Sequence, residues 1–307
     1  MALVPLNPPA AEAFARPAAW SGPAALKYWH LASLDAPSVA AAWACALAWA
    51  ARVRVSQAMI VVLALVVWAI YLVDRLLDAW TGLRDAGRHN LQERHWFHWR
   101  HRRLFTVLAA TATVAAGCMV LSRLHAAALR RDSLIGLATL AYFSGVHGGR
   151  SPRWMDWLRG RIGGVSREFV VGVIFSAGCV LPVLPSAPTG LTKMCALLVL
   201  PAAAFAMLAW LNVKAIGRWE EWAQLPGSES GVKRIALRLA LACGLCGLGL
   251  GALQPRPALL LALVAVSALL LAWLDTLRDR MDAVTLRAAA DLVLLTPLAL
   301  LPIELMR

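Results

Sequence analysis

Apolar residues fill this chain in long uninterrupted runs separated by short polar connections, and the period-two alternation of half-buried strands is missing. A helix needs about 17 to 25 mostly apolar residues to cross a bilayer. The runs predict nine spans, at 37–51, 56–77, 104–121, 133–149, 168–185, 191–211, 235–253, 257–274 and 288–305. The first has a clean run only from Pro37 to Ala51. Proline is tolerated at its start because the N–H it lacks would be unpaired there. The expected fold is all-α: a polytopic membrane protein with a single helical domain at 31–307, preceded by a loose tail at 1–30. That tail, rich in Ala and Pro, lacks the basic segment and apolar core of a cleavable signal. The ten-residue alternation of a membrane barrel is absent too.

Composition agrees with the pattern. At 60% hydrophobic residues and a mean hydropathy of +0.65, 307 residues are too apolar for a soluble two-domain protein. The formal charge of +13 invites a nucleic-acid reading. The basic residues lie instead in short loops beside apolar runs, which excludes a detachable nucleic-acid patch. With the N-terminus on one side, that side holds 22 of the 30 Lys and Arg and the other holds eight. Positive-inside bias then predicts a cytoplasmic N-terminus, a C-terminus on the opposite side, and cytoplasmic loops after spans 2, 4, 6 and 8. The outer turns at 186–190 and 254–257 are short and leave little room for chemistry. All six cysteines lie in or beside apolar runs, and Cys243-x-x-Cys246 reads as helix packing rather than a metal or redox pair.

Carboxylates carry the chemistry. Ala58 to Val73 contains no charge, and then Asp74 and Asp78 follow one helical turn apart on one face, where the span meets water. They can be solvated or paired with Arg75. Yet an Asp costs roughly 2.5 to 3.5 kcal/mol at the centre of a span, and intramembrane carboxylates mark pathways or sites. At the end of span 6, Asn212, Ile216 and Glu220 share one face. Between spans 2 and 3, His95, His98 and His101 alternate with Trp and Arg, which suits an interfacial helix better than a transition-metal row. Asp275, Asp279 and Asp282, interleaved with Arg278 and Arg280, read as a salt-bridged surface helix.

Nine helices, polar helix ends after spans 2 and 6 and basic loops beyond them resemble the UbiA superfamily of intramembrane prenyltransferases. The chain keeps Asp74-Arg75 and Asp78 of that family's first motif, with Tyr71 and Leu72 before them in place of its opening Asn-Asp. Its second, Asp-rich motif is represented by Asn212 and Glu220, with no Asp between Asp156 and Asp275. Arg167-Glu168 followed by Gly172 and Gly178 is similar to the family's fifth-helix pattern. The resemblance implies a nine-helix bundle that moves a prenyl group from a polyprenyl diphosphate to a small aromatic or lipid acceptor, using Mg²⁺. It implies catalytic Asp74, Asp78 and Glu220, metal ligands Asp74, Asp78, Asn212 and Glu220, and diphosphate contacts from Arg75, Arg94, Arg100, Arg167 and Tyr142. Those arginines are equally suited to lipid phosphates in a membrane. The rival expectation is a non-catalytic relative that binds an isoprenoid or a partner protein. A transporter would instead show broken helices and charges near the bilayer midplane.

Overall fold

The structure, a computed structural model, describes residues 21–84, 93–123, 136–137, 166–184, 191–224 and 231–300. Among them ten α-helices are formed: α1 (Ala24–Leu31), α2 (Asp35–Ala51), α3 (Gln57–Arg84), α4 (Glu93–Arg100), α5 (Arg102–Arg123), α6 (Arg167–Val180), α7 (Leu191–Gln224), α8 (Val232–Gly251), α9 (Pro255–Leu277) and α10 (Ala283–Val293). Five of them, α3, α5, α7, α8 and α9, are long and apolar enough to cross a membrane, and α1 with α2 makes a sixth if that bent pair is one span. The protein is therefore all-α with the character of a multi-pass membrane protein. Expected spans 2, 3, 6, 7 and 8 coincide with the five long helices, while expected span 4 at 133–149 lies outside the described residues, apart from Gly136 and Leu137.

Three expected spans take a different form. Span 9 stops at Val293 and resumes as a 3-10 turn, Thr296–Leu300. Pro297 has no N–H to offer the Val293 carbonyl four residues back, so the helix cannot run on. That carbonyl accepts from Ser267 Oγ at 3.0 Å, and the next, on Leu294, accepts from Trp43 Nε1 at 2.9 Å. Span 5 is the 14-residue α6, about 21 Å of helix, followed by a 3-10 turn at Leu181–Val183. Span 1 is preceded by α1, inside the segment expected as a tail, and α1 and α2 meet at 88°. Ser33 makes this corner with a left-handed backbone at φ 55°, an uncommon geometry for a residue with a side chain. The Ala32 carbonyl, freed by the break, accepts from Trp68 Nε1 at 3.0 Å.

Trp43 is at the centre of the main core. It is fully buried and stacked on Phe205 with ring centroids 4.0 Å apart, which ties α2 to α7. Around it lie Leu47, Leu208, Leu211, Leu260, Leu261 and Leu271. A smaller cluster of Leu72, Phe105 and Ala109 joins α3 to α5. The backbones of α6 and α7 touch at Gly172, where a Cβ would stand 2.6 Å from the Ala206 carbonyl oxygen; any side chain there would force the helices apart. This packing gathers the C-terminal ends of α3, α7 and α9 and the starts of α2, α8 and α10 at one end of the molecule, with α1 and α4 in contact with them.

Candidate functional site

Four helices supply a buried polar cluster at that end. The 88° corner brings His30, on the last turn of α1, to Asp35, the first residue of α2. His30 Nδ1 lies 2.7 Å from Asp35 Oδ2 and 3.4 Å from Asp291 Oδ2 on α10. Asp291 Oδ1 in turn accepts from Asn212 Nδ2 of α7 at 2.8 Å. The other Asp35 oxygen accepts from its neighbour's backbone N–H at Ala36, 2.9 Å away. His30, Asp35 and Asn212 are all at least 96% buried. Asn212 Oδ1 is buried without a hydrogen-bond partner among the described residues.

A second constellation lies about two turns further along α7, eight residues or about 12 Å from Asn212. Glu220 receives the Arg287 guanidinium of α10 and, at 3.5 Å, Arg94 Nη1 of α4. Two guanidinium groups thus meet one carboxylate. Arg287 is buried, and its Nη1 has no partner among the described residues. Burial, reinforced by the positive charge of Arg75, pulls Arg94 down to about 9, so it stays protonated near neutrality. Asp78, Asp74 and Asp291 act on it in the opposite direction, which places the α3 carboxylates in its electrostatic surroundings. Tyr71, one turn before Arg75, lies in the field of Asp35, Asp291, Asp74 and Arg75.

The α4 helix is pinned over this end by Lys27 to Glu93 at 2.6 Å and by Ser33 Oγ to His98 Nε2 at 3.4 Å. His98 does not titrate near neutrality. Burial, with the positive charges of Arg75, His30 and Arg94, pushes it down to about 4 against the effect of its bond to the Arg94 carbonyl. His95 is pushed down to about 3 by burial and by Arg94. Of this row, His98 is buried, His95 half-buried and His101 exposed. Asp275 is likewise buried, accepting from Trp219 Nε1 at 2.7 Å and from Arg278 at 3.2 Å, so it is a clamp between α7 and α9 rather than an exposed surface charge.

Compared with protein-family models, curated proteins and solved structures, this chain matches none. Its site is read from its own geometry.

Of the sequence-expected residues, Asp74, Arg75 and Asp78 are half-buried on α3, Arg94 is drawn in beside Glu220, and Asn212 joins Asp291. Arg100 is exposed at the far end of α4, and Arg167 is exposed at the start of α6. Tyr142 lies outside the described residues. Sequence reasoning passed over His30, Asp35, Arg287 and Asp291 as site residues. Asp291 carried a legible signal, being a carboxylate inside an expected span. Arg287 and the His30–Asp35 pair carried none, because the corner and the helix packing bring them together.

Proposed function

We propose that this chain is a UbiA-like intramembrane prenyltransferase that moves a prenyl group from a polyprenyl diphosphate to a small aromatic or lipid acceptor at its cytoplasmic face. The observation that carries the reading is the convergence of Arg94 and Arg287 on Glu220, with Asp74 and Asp78 in the same electrostatic neighbourhood. The spare Arg287 Nη1 is a buried donor wanting an acceptor. A diphosphate oxygen meets that need, since guanidinium groups bind phosphate through forked hydrogen bonds. Glu220 holds both guanidinium groups in place until an anion arrives. Arg287 is buried, so water competes little for its donors.

Mg²⁺ favours one or two carboxylates together with substrate phosphate, and Asp74 with Asp78 is a donor set of that chemistry. Glu220, expected to share that metal, has its Oε1 engaged by both arginines. When bound, Mg²⁺ would supply Lewis-acid stabilisation of the leaving diphosphate. Arg94 and Arg287 orient that group and take up the negative charge it gains. The engagement of Glu220 also favours a second reading, an isoprenoid-binding protein without turnover, since an Oε1 held by two guanidinium groups is a weaker metal donor.

Purified protein in detergent should bind geranylgeranyl diphosphate at least about tenfold more tightly with Mg²⁺ than with EDTA, and Asp78→Asn should erase that difference. Arg287→Gln should weaken binding in both conditions, because its contact is to the anion. Equal binding with and without the metal by wild-type protein would count against the metal-assisted reading. Tight binding with no consumption of the diphosphate by membranes offered phenolic and lipid acceptors would select the second.

A further inference from the structure

We propose that His30, Asp35 and Asp291, completed by Asn212, form a site for a divalent first-row transition-metal ion. This site is distinct from the Asp74–Asp78 pair and independent of the prenyltransferase reading. One ligand atom from each of the three residues lies within 4.8 Å of the others. For bonds of about 2.1 Å, the edges of a coordination shell measure about 3.0 Å when octahedral and about 3.4 Å when tetrahedral. The observed separations from His30 Nδ1, 2.7 and 3.4 Å, bracket those values.

The donor chemistry narrows the ion. An imidazole nitrogen with two carboxylates suits Zn²⁺, Mn²⁺ or Fe²⁺, whereas Mg²⁺ and Ca²⁺ prefer oxygen alone. A fourth donor stands ready. Asn212 is 4% exposed, its nitrogen is tied to Asp291 Oδ1, and its oxygen beside that bond has no partner among the described residues. Charge points the same way: a proton on His30 neutralises one carboxylate, while a divalent ion bound to neutral His30 neutralises both. The positive charge of Arg75 also reaches Asp35, but from beyond the ligand set.

The ligands come from α1, α2, α7 and α10, so the ion would staple the bent α1–α2 pair to the bundle. Such a site gains affinity only in the folded chain and therefore stabilises it. The test uses full-length protein in detergent, stripped with EDTA and titrated with Zn²⁺. One equivalent should bind per chain, with a rise in unfolding temperature. His30→Gln and Asp291→Asn should each weaken Zn²⁺ binding at least about tenfold, the loss typical of disturbing a metal's ligand set. Arg256→Ala, remote from the cluster, should leave it unchanged. Should either cluster variant fold poorly, Mn²⁺ bound to wild-type protein still reports directly, since pulsed electron paramagnetic resonance must show nitrogen coupling from one imidazole. Absence of a stoichiometric ion, absence of that coupling, or full-affinity binding by well-folded His30→Gln would overturn the proposal and leave the cluster as a hydrogen-bonded clasp.

Discussion

The two ends of this molecule handle charge in opposite ways. At the end described above, acids and bases from α1, α2, α4, α7, α9 and α10 are brought together and buried or half-buried. At the other, the described turns at 52–56, 181–184 and 252–254 contain no acid at all. There Arg256 gives Nη1 to the Trp49 carbonyl at 2.9 Å and lays its guanidinium over the Trp49 ring, 5.0 Å from the centroid. A cation beside the last carbonyls of α2 suits the negative end of that helix and needs no counter-ion. Basic side chains are present at both ends. What distinguishes the first is that opposite charges meet there away from water, where each depends on its partner, and that dependence makes a site.

The comparison can be broken most forcefully at Arg287. Replacing it with Leu leaves Glu220, among the described residues, with the Arg94 contact; losing one partner of a fully buried pair costs about 3 to 5 kcal/mol, and the 25% exposure of Glu220 brings this loss to the lower end of that range. Thermal unfolding in detergent should fall accordingly, and adding Glu220→Leu should recover much of the loss. A single variant as stable as wild type would show the pair to be solvated.

Acid should separate the ends next. Folded His98 is held neutral down to about pH 4, whereas an unfolded histidine titrates near 6.5. Stability is full above about pH 6.5 and declines as pH falls toward 4, because over that window only the unfolded chain takes up the proton. At pH 5 the loss from this residue is on the order of 2 kcal/mol. His95 adds in the same direction. Unfolding temperatures at pH 7.5 and 5 should differ less in His98→Gln than in wild type.

The smallest effect belongs to the opposite end. Arg256→Ala removes one hydrogen bond to a backbone carbonyl and one cation–π contact, together worth about 1 to 2 kcal/mol. It should leave diphosphate and Zn²⁺ binding untouched. A change in either would mean that the two ends communicate through α2.

Much of the scaffold was legible along the chain. The charge-free run from Ala58 to Val73 predicts α3, and comparable runs predict α5, α7, α8 and α9, because a long apolar helix is dictated by local composition. The breaks were less so. Pro297 was readable as a kink, but whether a helix ends there depends on who takes the freed carbonyls, and those donors, Ser267 and Trp43, lie 26 and 251 residues away from the carbonyls they serve.

The site divides along the same line. Sequence by itself determined that Asp74 and Asp78 share a helix face and that Asn212 and Glu220 share another, since helical periodicity is a local property. Only the tertiary structure decided their company: it gave Asn212 to Asp291, gave Glu220 to Arg94 and Arg287, and turned the chain at Ser33 so that His30 faces Asp35. Each pairing except the last joins residues at least 67 apart in sequence, and even His30 and Asp35 meet through a corner held by Trp68 and His98. Electrostatic partnership follows distance in space, which a linear pattern encodes only through the packing it produces.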